Sequence, residues 1–206
     1  MTPEQTLTFF LFALAASGTP GPSNVMLTAT GANAGLRRGL PCLFGVNLGM
    51  GFMMSVVAFG LGSIVLDSPA ILQGLKWCGA GFLLWLSWKI ATAAPPVEAV
   101  ETPAVPENAA PPIGFFGAAA FQWINPKSWL VSASAAGTYL QADSGGALLQ
   151  ALFLGGVFVL AALPTTFLWL AAGAALQQFL RKHRNLRLFN LAMGALLAGS
   201  VVFFVW

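Results

Sequence analysis

The chain has 206 residues, of which 57% are apolar and 7% charged, with a net charge of +3. A soluble domain carries roughly 25% charged residues, so this chain cannot coat a water-facing surface, and a soluble catalytic domain is excluded. Its length allows about six membrane spans of roughly 20 residues joined by short loops, in one integral domain.

Span 1 is expected over roughly Thr6 to Thr30. Leu7 to Ala16 is similar to the apolar core of a signal peptide, but the charge before it is Glu4 rather than a basic residue. It is therefore read as a retained span. The middle of span 1 is interrupted by Thr19-Pro20-Gly21-Pro22-Ser23-Asn24. Pro20 and Pro22 remove two amide donors and Gly21 adds backbone freedom, which is more than a simple kink requires. Freed backbone inside a bilayer is tolerated only where it faces protein or a water-filled cavity.

After an inner loop carrying Arg37 and Arg38, span 2 is expected within Leu40 to Leu66 and span 3 from about Pro69 to Trp88. Ala93 to Pro112 holds six prolines and Glu98, Glu101 and Glu107, and reads as an extended, mobile cytoplasmic linker. Span 4, about Ile113 to Leu140, repeats the interruption as Gln122-Trp123-Ile124-Asn125-Pro126-Lys127. Spans 5 and 6 are expected at about Ala147 to Ala174 and Leu188 to Trp206. Gly45, Gly49 and Gly51 in span 2, like Gly155 and Gly156 in span 5, read first as positions where helices approach closely.

With the N-terminus outside, the inner loops hold Arg37, Arg38, Lys89 and the basic residues of 181–187, against Lys76 outside. That asymmetry orients both termini to the outer side of the membrane. The basic residues flank apolar segments, so they are read as orienting charges and not as a nucleic-acid surface. The lone His183 reads as a solvated loop residue. A single histidine builds no metal site, and no cofactor is expected.

The fold expected is all-α and integral to the membrane. Its six transmembrane helices form two inverted three-helix repeats, 1–92 and 113–206, joined by the linker 93–112, with helices 1 and 4 broken near the midplane. Paired broken helices of this kind point to a transporter substrate site. The expected site comprises Pro20, Gly21, Pro22, Ser23, Asn24, Asn125, Pro126 and Lys127. Asn47 and Gln122 are further candidates, serving either helix-to-helix bonding or the cavity wall.

Lys127 is the ionisable side chain placed deepest in a span, where charge is costly and usually functional. Its alternative is structural, pairing with carbonyls freed by Pro126. A zwitterion fits the set: Lys127 and half-helix N-termini for the carboxylate, break carbonyls for the ammonium, and no embedded acid for a cationic side chain. The partners expected are a small amino acid, protons and the bilayer, with a homodimer as a further possibility. Transport would be secondary, since no ATP-binding motif is present, and Lys127 is the proton-coupling candidate.

The segments Thr19-Pro20-Gly21-Pro22-Ser23-Asn24 and Gly31-Ala32-Asn33-Ala34-Gly35-Leu36-Arg37-Arg38-Gly39 resemble the first signature of the LysE/RhtB amino-acid exporters. Phe121 through Trp129 resembles their second, and Cys78 through Lys89 their third-span signature, with Phe82 where many members have tyrosine. The resemblance covers nearly the whole chain. It implies export of amino acids from bacteria by proton antiport, and functional roles for Pro20, Gly21, Pro22, Asn125, Pro126 and Lys127. Several members carry an acidic residue where this chain has Met50. Two rival readings are a thiol–disulfide electron relay using Cys42 and Cys78, and a passive channel. The relay would need two cysteines that this topology sets far apart.

Overall fold

The computed structural model describes residues 1–62, 65, 67–93, 113–140, 146–176 and 183–205. All elements among them are helical. The linker expected at 93–112 lies outside the described residues, save for Ala93. So do Arg181, Lys182 and Trp206.

Helix α1 (Pro3–Gly18) starts where Thr2 accepts from Gln5 N and Gln5 reciprocates, with Pro3 in the first turn. It stops at Thr19, which turns extended ahead of Pro20. Helix α2 (Pro22–Val56) begins after the extended Gly21 and runs on through a π turn at Val57–Leu61. Helix α3 spans Pro69–Ala91, α4 Phe115–Ile124, α5 Pro126–Tyr139, α6 Ala147–Leu176 and α7 His183–Val205. Between α4 and α5 stands Asn125 alone, extended, with Pro126 unable to donate to the preceding turn.

Two expectations are corrected. The stretch between Thr30 and Leu40 is not a loop, because α2 is helical on both sides of Gly35, whose φ of 79° and ψ of 174° only glycine adopts readily. The chain reverses there. Thr30 Oγ1 lies 3.9 Å from Cys42 Sγ, whereas twelve residues of straight helix would separate them by about 18 Å. His183 opens α7 and does not sit in a loop.

Helix α2 packs most heavily on α6, and also on α4, while α1 lies against α6 and α3 against α7. Close approach explains the glycines. A side chain on Gly31 would strike the Leu170 carbonyl, one on Gly173 the Thr28 carbonyl, and one on Gly155 the Gly51 carbonyl. Gly45 and Gly49 meet Phe115 and Ala119 of α4 in the same way.

Three apolar clusters result among the described residues. One gathers Met26, Leu27, Leu43, Leu83, Phe121 and Leu170, a second Phe9, Met50, Met54, Leu154 and Phe158, and a third Met53, Val57, Val65 and Trp129. The outside is apolar too: Phe116 is 84%, Leu149 74% and Leu168 66% exposed. Such a surface suits lipid and not water. Among the described residues, three helical stretches are long and apolar enough to cross a membrane: Pro22–Leu61, counted through the turn at Gly35, Ala147–Leu176 and Arg184–Val202.

Candidate functional site

The two breaks meet. Lys127, in the first turn of α5, reaches back so that its Nζ donates to the Thr19 carbonyl at 2.8 Å. Ser23 Oγ donates to Gln122 Oε1 at 3.2 Å and accepts from Asn125 Nδ2 at 3.2 Å. Ser128 Oγ adds a second donor to Gln122 Oε1 at 3.0 Å. Residues roughly a hundred positions apart are thereby joined in one network.

The chain provides for the carbonyls that the first break leaves without helical partners. Asn24 Nδ2 donates to Ser17 O at 2.8 Å and Thr19 O at 2.9 Å. Trp169 Nε1 donates to Gly18 O at 3.3 Å. At the second break, Asn125 caps α5 by accepting from Lys127 N, and Trp129 Nε1 donates to Trp123 O at 2.7 Å. The N-terminus of α2 has no side-chain cap, so its first-turn amides keep their partial positive charge beside the break.

A cavity, partly open to the outside, lies against this network. Of the residues expected from sequence, Gly21, Ser23, Asn24, Asn47, Gln122, Asn125 and Lys127 line it. Pro20, Pro22 and Pro126 do not. They shape the breaks that bring the others together. Gly21 is where the Lys127 side chain crosses: a Cβ there would stand 3.0 Å from Lys127 Cδ and 3.1 Å from Nζ. Its φ of −179° is ordinary extended backbone, so space is what excludes a side chain.

Asn47 bonds Thr166 of α6, with Nδ2 to Oγ1 at 2.9 Å, and it lines the cavity. Gln122, at 1% exposure, likewise bonds across helices to Ser23 and lines the cavity. Apolar side chains line it as well, among them Met50, Val131 and Phe158. Among the described residues lining the cavity, none is acidic. No group of metal-ligating side chains occurs among the described residues.

Three polar cavity residues lie outside the expected set: Ser17, Ser128 and Thr166. The signal for Thr166 is Pro164-Thr165-Thr166, a proline and two hydroxyls inside the apolar run of α6. Thr165 Oγ1 lies 2.8 Å from Ser17 Oγ, so this segment also touches the first break.

The family model described as LysE type translocator matches residues 14–206. The cysteine/O-acetylserine efflux protein of Salmonella typhimurium (strain LT2) is 34% identical over 98% of each chain. The protein of the same name from Escherichia coli O6:H1 (strain CFT073) is 31% identical, again over 98% of each. No solved structure matches the chain.

Proposed function

This chain belongs to the LysE type translocator family, and on that premise we propose that it exports small neutral amino acids by proton-coupled secondary transport. It is a multi-pass membrane transporter and not an enzyme. The observation that carries the substrate reading is the Lys127 amine beside Gly21, at a cavity whose remaining polar groups are neutral. An amine and uncapped helix amides suit a carboxylate, and the absence of an acid in the wall disfavours a cationic side chain. The names of the relatives support cysteine or O-acetylserine as the cargo.

The six-span, two-repeat arrangement belongs to the same proposal. Helices α4 and α5, with 10 and 14 residues, are each too short for a hydrocarbon core of about 30 Å. Joined at Asn125 they reach it, and α1 with the first arm of α2 does the same. The breaks then fall near the midplane, and the halves enter from opposite sides because each has three spans. The electron-relay reading gains no support: Cys42 is buried in α2, Cys78 is exposed on α3, and both are free.

Expression in a bacterium stripped of its own exporters tests the function. Resistance to toxic levels of O-acetylserine or cysteine, lost on Lys127→Ala, is the expected result. Equal sensitivity with and without the intact protein at the membrane would sink it.

A further inference from the structure

We propose that the side-chain carbonyls of Asn24 and Asn47 hold the α-ammonium of the transported amino acid, while Lys127, Gln122 and Asn125 hold its carboxylate. This rests on the export reading and deepens it. The division comes from the hydrogen-bond donors and acceptors left over at the cavity wall.

Three backbone carbonyls of the first break already have partners. Ser17 O and Gly18 O each accept one bond, and Thr19 O accepts two, from Asn24 and Lys127. Side-chain acceptors at the cavity wall carry fewer bonds from donors. Both Asn24 amide hydrogens go to Ser17 O and Thr19 O, and no described residue donates to its Oδ1. Both Asn47 amide hydrogens are used as well, on Leu43 O at 2.8 Å and on Thr166 Oγ1. Thr166 has one hydroxyl proton, and the Ala162 carbonyl at 2.7 Å takes it in preference to Asn47 Oδ1 at 3.3 Å. Asn47 Oδ1 thus has only that long contact from Thr166, on a residue that is 1% exposed. An amide oxygen has two lone pairs, so it keeps acceptor capacity to spare.

The donors left over lie on the other break. Lys127 Nζ spends one of its three hydrogens, on Thr19 O. Gln122 Nε2 spends one of two, on Ala118 O. Asn125 Nδ2 spends one of two, on Ser23 Oγ. All five side chains line one cavity. Spare acceptors therefore come from α2, and spare donors from α4, Asn125 and α5. That division matches the two ends of a zwitterion.

The test uses the purified full chain in liposomes, with labelled O-acetylserine in exchange. The competitors are unlabelled O-acetylserine and 3-acetoxypropionate, the same molecule without its amine. The intact protein should need at least about tenfold more 3-acetoxypropionate for half-inhibition, the scale of a hydrogen bond to a charged group. Asn47→Leu should raise the half-saturation for O-acetylserine by about tenfold and leave inhibition by 3-acetoxypropionate unchanged, as a lost amine contact requires. Equal inhibition by the two compounds in the intact protein would overturn the assignment, with export left standing and no variant needed. Equal weakening of both ligands in Asn47→Leu would also overturn it. Absence of any exchange by the intact protein would remove the export reading as well.

Discussion

The ammonium of Lys127 donates to the carbonyl of Thr19 at 2.8 Å, so a side chain from the second helix break closes on the backbone of the first. Lys127→Met keeps most of the length and removes the charge. Thr19 O retains its bond from Asn24, so the fold should persist. A bond to a charged group is worth about 1.5–3 kcal/mol, so exchange of O-acetylserine should weaken by at least about tenfold at unchanged membrane abundance. The variant should also cease to respond to an imposed proton gradient in vesicles. Retained response would clear Lys127 of the coupling role.

Gly21→Ala places a methyl 3.0 Å from Lys127 Cδ. The backbone tolerates alanine, so the effect falls on the lysine. Overpacking of about 1 kcal/mol corresponds to roughly fivefold weaker transport, with a larger loss for Gly21→Val. In a Lys127→Met background the alanine should add little. Additive losses would show that Gly21 acts apart from the lysine.

Adjacent glycines of α6 should respond oppositely. Gly155→Ala drives a methyl into the Gly51 carbonyl and Ser55, at a cost of about 1–3 kcal/mol. Gly156 is exposed and has nothing within 4 Å of its would-be Cβ. Gly156→Ala should be neutral or stabilising by up to about 1 kcal/mol. Thermal unfolding in detergent compares the two, and a loss for Gly156→Ala matching that of Gly155→Ala would contradict the packing described.

Ser132 is fully buried in α5, and its hydroxyl has no partner among the described residues. Ser132→Ala removes an unpaired polar group and should raise stability by about 1 kcal/mol. A fall in melting temperature would mean that the hydroxyl is bonded after all.

The breaks are legible in the sequence because proline and glycine report local backbone chemistry. Asn24 and Asn125 are legible with them, being polar groups at helix ends where orphaned amides and carbonyls need partners. Thr166 is marked only faintly, by Pro164 and Thr165 ahead of it in an apolar run. Its role depends on Asn47, 119 positions away, and no local pattern encodes that meeting. The reversal at Gly35 is hidden for another reason. Arg37 and Arg38 suggest a solvated loop by charge alone, while their backbone stays helical up to a single positive-φ residue. Ser128 lies inside a recognisable motif, yet its bond to Gln122 exists only because Asn125 turns the chain between them.

A reversal made by one residue also sets the rotational phase of the helix beyond it. Each residue added to a helix rotates everything downstream by about 100°. An insertion beside Gly35 would therefore swing Asn47 and Met50 off the cavity wall while leaving Asn24 in place. The angular match between the two arms of α2 is stored in a single glycine, so length at this point is held as tightly as identity is at the breaks.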